Sequence, residues 1–209
     1  MNLMKKGEES RAKILAAAQE LFFQNGVPGT TVADIASRAG IAKGTFYHHF
    51  KKKEELVSEF ASRWIEKHLA ELSNMCRQTD QPYEQRFSSC ISYAAGFAHY
   101  YDRLQRRAGI AAEEYEKYLD QFLIRSVDIF EPFLQEGISC GFLNIHYPRE
   151  IYLIFAFGMR MLRRSIPDEA PEEVVGRLLG AAEEIFHIES GVLQFSYSRG
   201  IADQKQGML

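Results

Sequence analysis

The chain has 209 residues, of which 46% are hydrophobic and 25% are charged, and this composition is typical of a globular protein with one large domain or two small ones. A chain of this length buries enough apolar surface to fold without a disulfide or a structural metal. The net charge of -3 hides an uneven distribution, since residues 1–53 carry nine Lys or Arg against four Asp or Glu, and the remainder carries sixteen against twenty-four. A basic amino-terminal part suggests contact with a polyanion, although a chance split of charge is the alternative.

Helical spacing of apolar residues is found from the start of the chain. Ser10 is a plausible N-cap for a first helix, which Asn25 and Gly26 end. Thr31 opens a second helix, with Asp34 placed three residues later as in a capping box.

The following segments keep the same helical character. A third, short helix carries Phe46 and Phe50 on one face, and a long fourth helix follows the lysine run and extends to about Arg77. Pro148 and Pro171 are typical of the first turns of the last two long helices. The sequence therefore predicts an all-α protein of about nine helices, with a small amino-terminal head on a larger helical domain.

Two patterns bear on the cellular setting. The longest apolar run, IYLIFAFGM, has nine residues, far fewer than the ~20 that span a bilayer, and no signal peptide is visible. The three cysteines have no C-x-x-C spacing and cannot all pair, which indicates free thiols in a reducing compartment. We expect a cytoplasmic protein without a membrane partner.

Residues 31–50, TVADIASRAG followed by IAKGTFYHHF, form the pattern helix, glycine turn, helix. This pattern is typical of a helix-turn-helix, whose second helix lies in the major groove of DNA. Lysine there offers charge to phosphate or hydrogen bonds to guanine, glycine permits close backbone approach, and hydroxyls can bond phosphate oxygens. The residues left to face outward are Lys43, Gly44, Thr45, Tyr47 and His48.

The pattern T-x-x-D-I-A-x-x-A-G-I-x-K-G-T-x-Y-x-x-F-x-x-K-E-x-L extends from Thr31 to Leu56 and resembles the TetR/AcrR family of bacterial transcriptional regulators. The resemblance implies a three-helix DNA-binding head at residues 1–53, with its helix-turn-helix at about 31–50, and a ligand-binding and dimerisation domain at 54–209. It also implies a homodimer on a palindromic double-stranded DNA operator, usually as a repressor that a small inducer releases. Positions that match DNA contacts of the family are Thr31, Lys43, Gly44, Thr45, Tyr47, His48 and Lys53, and Lys51 adds charge beside them.

Two positions depart from the family pattern. Ala42 stands where the third helix usually has Ser or Thr as its cap, and Lys52 stands where the fourth usually has Ser, Asn, Asp or Gly. Losing an N-cap side chain costs about 0.5–2 kcal/mol. We therefore expect a recognition helix that is held less firmly in the free protein.

Metal and enzyme readings find little support. His48 and His49 are adjacent, so on a helix they point about 100° apart and cannot share a metal easily. Glu184 and His187 form an E-x-x-H, half of a di-iron helical site, and the sequence has no second such pair. No P-loop, G-x-S-x-G or H-E-x-x-H motif occurs. We predict no enzyme activity, no catalytic residue, no metal and no cofactor.

The last two long helices each have an apolar face. Such a pair can pack inside one monomer, but the family resemblance points to a four-helix bundle made by two chains. The candidate dimer contacts are Ile151, Phe155, Leu162, Val175, Leu178, Ala182 and Phe186.

Residues 83–157 contain sixteen aromatic side chains. Aromatic-rich helical bodies are commonly plain core, whereas the resemblance favours an apolar or aromatic ligand cavity with a few polar groups. The candidate ligand contacts are Tyr93, Phe97, Tyr101, Phe122, Phe130, Tyr152 and Phe155. Two alternatives stay open: a regulator of this fold without an inducer, and a helical metal-binding enzyme.

Overall fold

A computed structural model describes residues 2–94, 109, 112–165 and 171–193. All regular secondary structure in these ranges is helical, which confirms the all-α prediction, and the described part contains eight helices where about nine were expected. The helices are α1 (Asn2–Asn25), α2 (Val32–Arg38), α3 (Lys43–His49), α4 (Glu54–Cys76), α5 (83–94), α6 (Ala112–Ser139), α7 (Pro148–Ser165) and α8 (Pro171–Ile185). No helix in the described ranges has the length and hydropathy needed to cross a membrane.

Several helix ends follow local sequence rules. Pro148 and Pro171 are the first residues of α7 and α8, as expected for prolines whose missing N–H would have no helical partner there. The N-cap expected at Ser10 is wrong, because α1 already begins at Asn2. Residues 2–9 include Leu, Met, Lys and Glu, and these side chains favour the helix.

The chain forms two compact units. The head unit contains α1 to α3, α4 as far as Ile65, Gly109, and α6 as far as Tyr118. The body unit contains α4 from Glu66, α5, α6 from Leu119, α7 and α8.

The head unit has its own hydrophobic core. Side chains from α1 to α4 meet in it, and the half-buried Tyr118 of α6 packs against them. Arg11 of α1 bonds Glu59 of α4 at 2.9 Å, and Arg38 of α2 pairs with Glu20 of α1. The core residues are Ile14, Leu15, Ala17, Ala18, Phe22, Ile35, Phe46, Phe50, Leu56, Val57 and Phe60.

The body unit has a core rich in aromatic rings. The ring of Phe87 lies 5.3 Å from that of Phe186, and Tyr83 lies 4.8 Å from Phe133. Arg86 is buried between α5 and α6, where its guanidinium pairs with Glu136. Burying that cation is tolerable because a carboxylate and a backbone carbonyl receive its N–H groups.

Candidate nucleic-acid interface

Helix α3 has one buried face and one exposed face. Phe46 is fully buried and Phe50, at its C-cap, is nearly so, which confirms them as core residues. Tyr47 remains 49% exposed, with its ring edge-on to Phe46 at 5.5 Å. Tyr47 therefore packs against the core ring of Phe46 and still leaves about half of its surface exposed to solvent.

The outward face of α3 carries four of the residues predicted to contact DNA. Lys43, Gly44, Tyr47 and His48 are exposed, and Thr45 is half-buried. These residues lie within two turns of one helix, so the structure brings them together as a single surface. We use the name α3 face for the surface formed by Lys43, Gly44, Thr45, Tyr47, His48 and Lys51.

Gly44 has no structural reason to be glycine. A Cβ built at Gly44 meets no atom within 4 Å, and its φ is not in the left-handed region. Gly40, at the end of α2, is different, because its φ is +66°, a conformation that residues with a Cβ rarely adopt. The described part of the fold therefore does not require glycine at position 44, and the exposed backbone there is open to close approach by another molecule.

Thr31 caps α2 as the sequence predicted. Its Oγ1 accepts from the Asp34 N–H at 3.1 Å, and the Asp34 carboxylate accepts from the Thr31 N–H at 2.9 Å. The Thr31 hydroxyl also donates to that carboxylate at 2.6 Å. Hydrogen bonds from the side chain and backbone of Thr31 lower the pKa of Asp34, so the cap remains charged at neutral pH. The hydroxyl proton of Thr31 is thus engaged within the protein.

Lys53 is oriented differently from the other candidate lysines. It is half-buried, and its Nζ donates to Val27 O at 2.7 Å and to Thr30 O at 2.8 Å. These two bonds tie the start of α4 to the loop between α1 and α2. The sequence analysis assigned Lys53 to DNA contact and missed this role, because no pattern of neighbouring residues predicts a hydrogen bond between side chain and backbone 26 residues apart.

Lys51 and Lys52 are exposed, like Lys43. Within the described part of the chain, none of these three ammonium groups has an acidic partner. The backbone N–H of Lys51 donates to Glu55 Oε2 at 2.9 Å, and this bond helps to order the turn before α4. The α3 face is therefore bordered by uncompensated positive charge, as contact with a polyanion requires.

Helix α3 begins without a side-chain cap. Ala42 occupies the N-cap and makes no side-chain cap bond, which confirms that part of the prediction.

His48 and His49 have rings 5.2 Å apart and nearly perpendicular. Burial, His48 and Arg11 lower the pKa of the half-buried His49, so His49 is neutral at physiological pH. In the residues that the structure describes, no three His, Cys, Asp or Glu cluster as metal ligands do.

The candidate ligand contacts in the body unit are mostly core residues. Phe130 stacks on Tyr152 at 4.4 Å, and the Tyr152 hydroxyl lies 2.7 Å from Ser126 Oγ. Tyr93 is buried, and its hydroxyl contacts His68 and donates to Glu71 at 2.6 Å. Phe122 and Phe155 are buried too, whereas Phe97 and Tyr101 lie outside the described residues.

The candidate dimer contacts differ in their exposure to solvent. Phe155, Leu178, Ala182 and Phe186 are at most 3% exposed, so their side chains are packed within the monomer. Ile151 is half-buried and Leu162 is exposed, while the side chain of Val175 lies outside the description. The apolar side chains that do reach the surface of α7 are Ile154, Met161 and Leu162.

A three-helix head with a basic, outward-facing second helix of a helix-turn-helix defines a DNA-binding protein. Residues 14–60 match the family model described as bacterial regulatory proteins, tetR family. The chain is 29% identical to the transcriptional repressor KstR2 of Mycobacterium tuberculosis, over 64% of this chain and 69% of that protein. It is 43% identical to the transcriptional regulator TtgR of Pseudomonas putida over 30% of each chain.

Solved structures extend the likeness of fold beyond the head. A transcriptional regulator from Cytophaga hutchinsonii aligns with a TM-score of 0.67 and 19% identity, over 83% of this chain and 95% of that one. Residues 14–60 therefore form a DNA-binding head of the kind found in the tetR family of bacterial regulatory proteins, and the chain as a whole is similar to transcriptional regulators in sequence and in fold.

Proposed function

We propose that this protein is a repressor that binds a palindromic operator as a homodimer through the α3 face. The observation that carries the proposal is Gly44, which no contact in the described part of the chain requires to be glycine, on a helix face with Lys43 and Tyr47. Lysine suits phosphate or guanine, and the tyrosine hydroxyl suits phosphate oxygens. KstR2 carries the name of a repressor, which supports the same outcome here.

Operator binding is tested by fluorescence anisotropy across a salt series. The probes are a duplex from upstream of the protein's own coding sequence and a scrambled duplex of equal length. We expect tight binding to the first alone. Equal, steeply salt-dependent binding to both would indicate phosphate attraction without base recognition and would contradict the proposal for that site.

The second part of the proposal concerns the dimer. Ile154, Met161 and Leu162 are 66%, 61% and 41% exposed on α7, and the spacings 154, 158, 161 and 162 fall on one helix face. A Cβ at Gly158 or Gly176 would meet no atom within 4 Å among the residues that the structure describes, which supports room for a second helix there. An operator dimer needs such an interface to hold two recognition helices about 34–36 Å apart.

The dimer interface is tested by Ile154→Lys, with Ile124→Lys as the matched control. Both isoleucines are exposed in the monomer, at 66% and 57%, and Ile124 lies on α6. We expect Ile154→Lys to produce monomers in sedimentation velocity and Ile124→Lys to leave the dimer intact. An unchanged dimer in both variants would remove α7 from the interface.

The third part of the proposal is a small, largely apolar or aromatic inducer that binds in the body unit. Buried rings there accompany polar groups suited to a hydroxylated ligand, at Ser126 with Tyr152 and at Tyr93 with His68. Proteins of this fold have been solved with resorcinol, for RolR, and with stearoyl-CoA, for FadR of Bacillus subtilis, at 21% and 19% identity to this chain. An inducer weakens operator binding by its differential affinity for two states of the protein.

Resorcinol and stearoyl-CoA serve as probes of the two ligand classes. We expect a probe of the matching class to weaken operator binding, and Tyr152→Phe to blunt a response that uses the buried hydroxyl. An operator affinity unchanged by both would favour the regulator that has no inducer of these classes.

The proposed function contains no catalytic step. Glu184 is exposed in α8, and His187 lies beyond the end of that helix with φ 53°, so the two side chains do not share a helical face. The relatives carry names of transcriptional regulators. Elemental analysis of the purified protein tests the metal-enzyme alternative, which stoichiometric bound metal would favour.

A further inference from the structure

Two thiols that are fourteen residues apart in the sequence meet in the body unit. Cys76 is the last residue of α4, and Cys90 lies within α5. Their Sγ atoms are 3.6 Å apart, both side chains are buried, and both cysteines are free thiols. The third cysteine, Cys140, is exposed.

The separation of the two sulfurs is close to what a disulfide needs. A disulfide bond is about 2.0 Å long, so the sulfurs must approach by about 1.5 Å. Cys76 is placed to make that movement, because it ends its helix. The next N–H, that of Arg77, is shared between Ser73 O at 3.2 Å and Asn74 O at 3.1 Å, as in a terminal turn that can adjust. Cys90 is held on both sides by α5.

A buried cation lies next to the pair. Arg86, one turn before Cys90, donates from Nη1 to the backbone carbonyl of Cys76 at 2.7 Å. The hydrogen bond with Cys76 and burial raise the pKa of Cys90, and Arg86 lowers it by a smaller amount. Since the thiolate is the nucleophile, we expect Cys90 to react slowly while it is buried beside Cys76.

We propose that Cys76 and Cys90 are a modification site, at which hydrogen peroxide converts the two thiols into a reversible disulfide. One sulfur attacks a peroxide oxygen, the O–O bond breaks, and the leaving oxygen departs as water with the thiol proton. The other sulfur then attacks the resulting sulfenic acid, the S–O bond breaks, and a second water leaves. Two sulfurs are oxidised, and both oxygens of hydrogen peroxide are reduced.

The disulfide would join the end of α4 to α5 and close a short loop. Cross-linking restricts the unfolded chain, so the oxidised protein is expected to unfold at a temperature several degrees higher. A dithiol reductant should reverse that shift. Oxidation of Cys140 alone cannot produce it, because a disulfide within one chain needs two thiols in contact.

The test uses the full-length Cys140→Ser protein, treated with hydrogen peroxide and then unfolded in the presence of an alkylating agent. We expect the intact mass to fall by about 2 Da, as loss of two hydrogens requires. We also expect a peptide map without reductant to contain one fragment that joins residues 76 and 90. Cys76→Ser and Cys90→Ser in the same background are matched controls and should form no such link.

Two results would overturn the proposal. In the first, both thiols are still alkylated after a peroxide treatment that fully consumes Cys140 of the wild-type chain. In the second, the two cysteines carry separate sulfinic acids with no linking fragment. If a serine variant fails to fold, the peptide map of the Cys140→Ser protein still tests the proposal, because a fragment that joins residues 76 and 90 supports it and the absence of that fragment overturns it.

Discussion

The Gly44→Ala variant is expected to change the stability of the protein and its operator affinity in opposite directions. The added Cβ enters open space, and the backbone of Gly44 needs no left-handed conformation. Alanine restricts the unfolded chain and suits a helix better, so such a change stabilises by about 0.4–1 kcal/mol. On the α3 face, however, the new methyl group stands where the backbone is expected to approach DNA. We expect operator affinity to fall about tenfold, which corresponds to about 1.4 kcal/mol.

The assay combines urea unfolding of the full chain with operator anisotropy at one fixed salt concentration. Gly40→Ala is the matched control within the head, because a Cβ there also meets nothing but φ is +66°. That variant should lose stability, since the left-handed conformation disfavours any residue with a Cβ. If Gly44→Ala is more stable and binds the operator as tightly as the wild type, the argument for close approach at Gly44 is refuted. If it is less stable, α3 is packed differently from this structure.

Three further predictions concern single residues. Lys53→Met should destabilise the head unit by about 1–2 kcal/mol in urea unfolding, because two half-buried carbonyls lose a charged donor; unchanged stability would mean that the bonds to the α1–α2 loop contribute nothing. Gly137→Ala should destabilise the body unit, since its Cβ would lie 2.7 Å from Cε1 of Tyr83; a melting temperature equal to the wild type would show that α5 shifts freely. Burial lowers the pKa of His68 to about 4, so the unfolded chain, with a histidine pKa of about 6.5, binds more protons below neutrality. Stability should therefore fall by about 2 kcal/mol between pH 7 and pH 5, and His68→Gln should show a smaller loss in urea unfolding over the same pH range.

Local sequence rules predicted much of the head. The capping box of Thr31 and Asp34, the uncapped start of α3 and the two burials at Phe46 and Phe50 were all confirmed. Each depends on residues a few positions apart, whose geometry a helix sets by itself. The α3 face follows from the same periodicity, because burial of one side of a short helix exposes the other.

The body was harder to predict because its helices have apolar faces that either the same chain or a second chain can cover. Phe155 and Phe186 were placed at a dimer interface, yet they are packed inside the monomer, and the exposed Ile154 was not among the candidates. Periodicity identifies an apolar stripe but not whether the same chain or a second one covers it. Only the packing of α7 against its neighbours decides that question.

Contacts between parts of the chain that are distant in sequence could not be predicted either, because periodicity does not determine how helices pack. The sequence determined the all-α class, the helix-turn-helix and its outward residues, because these depend on spacings shorter than two helical turns. The tertiary structure alone decided that Lys53 turns inward to the α1–α2 loop and that Cys76 meets Cys90. Such meetings depend on how helices pack, and packing is set by the shapes of many side chains together rather than by any local pattern.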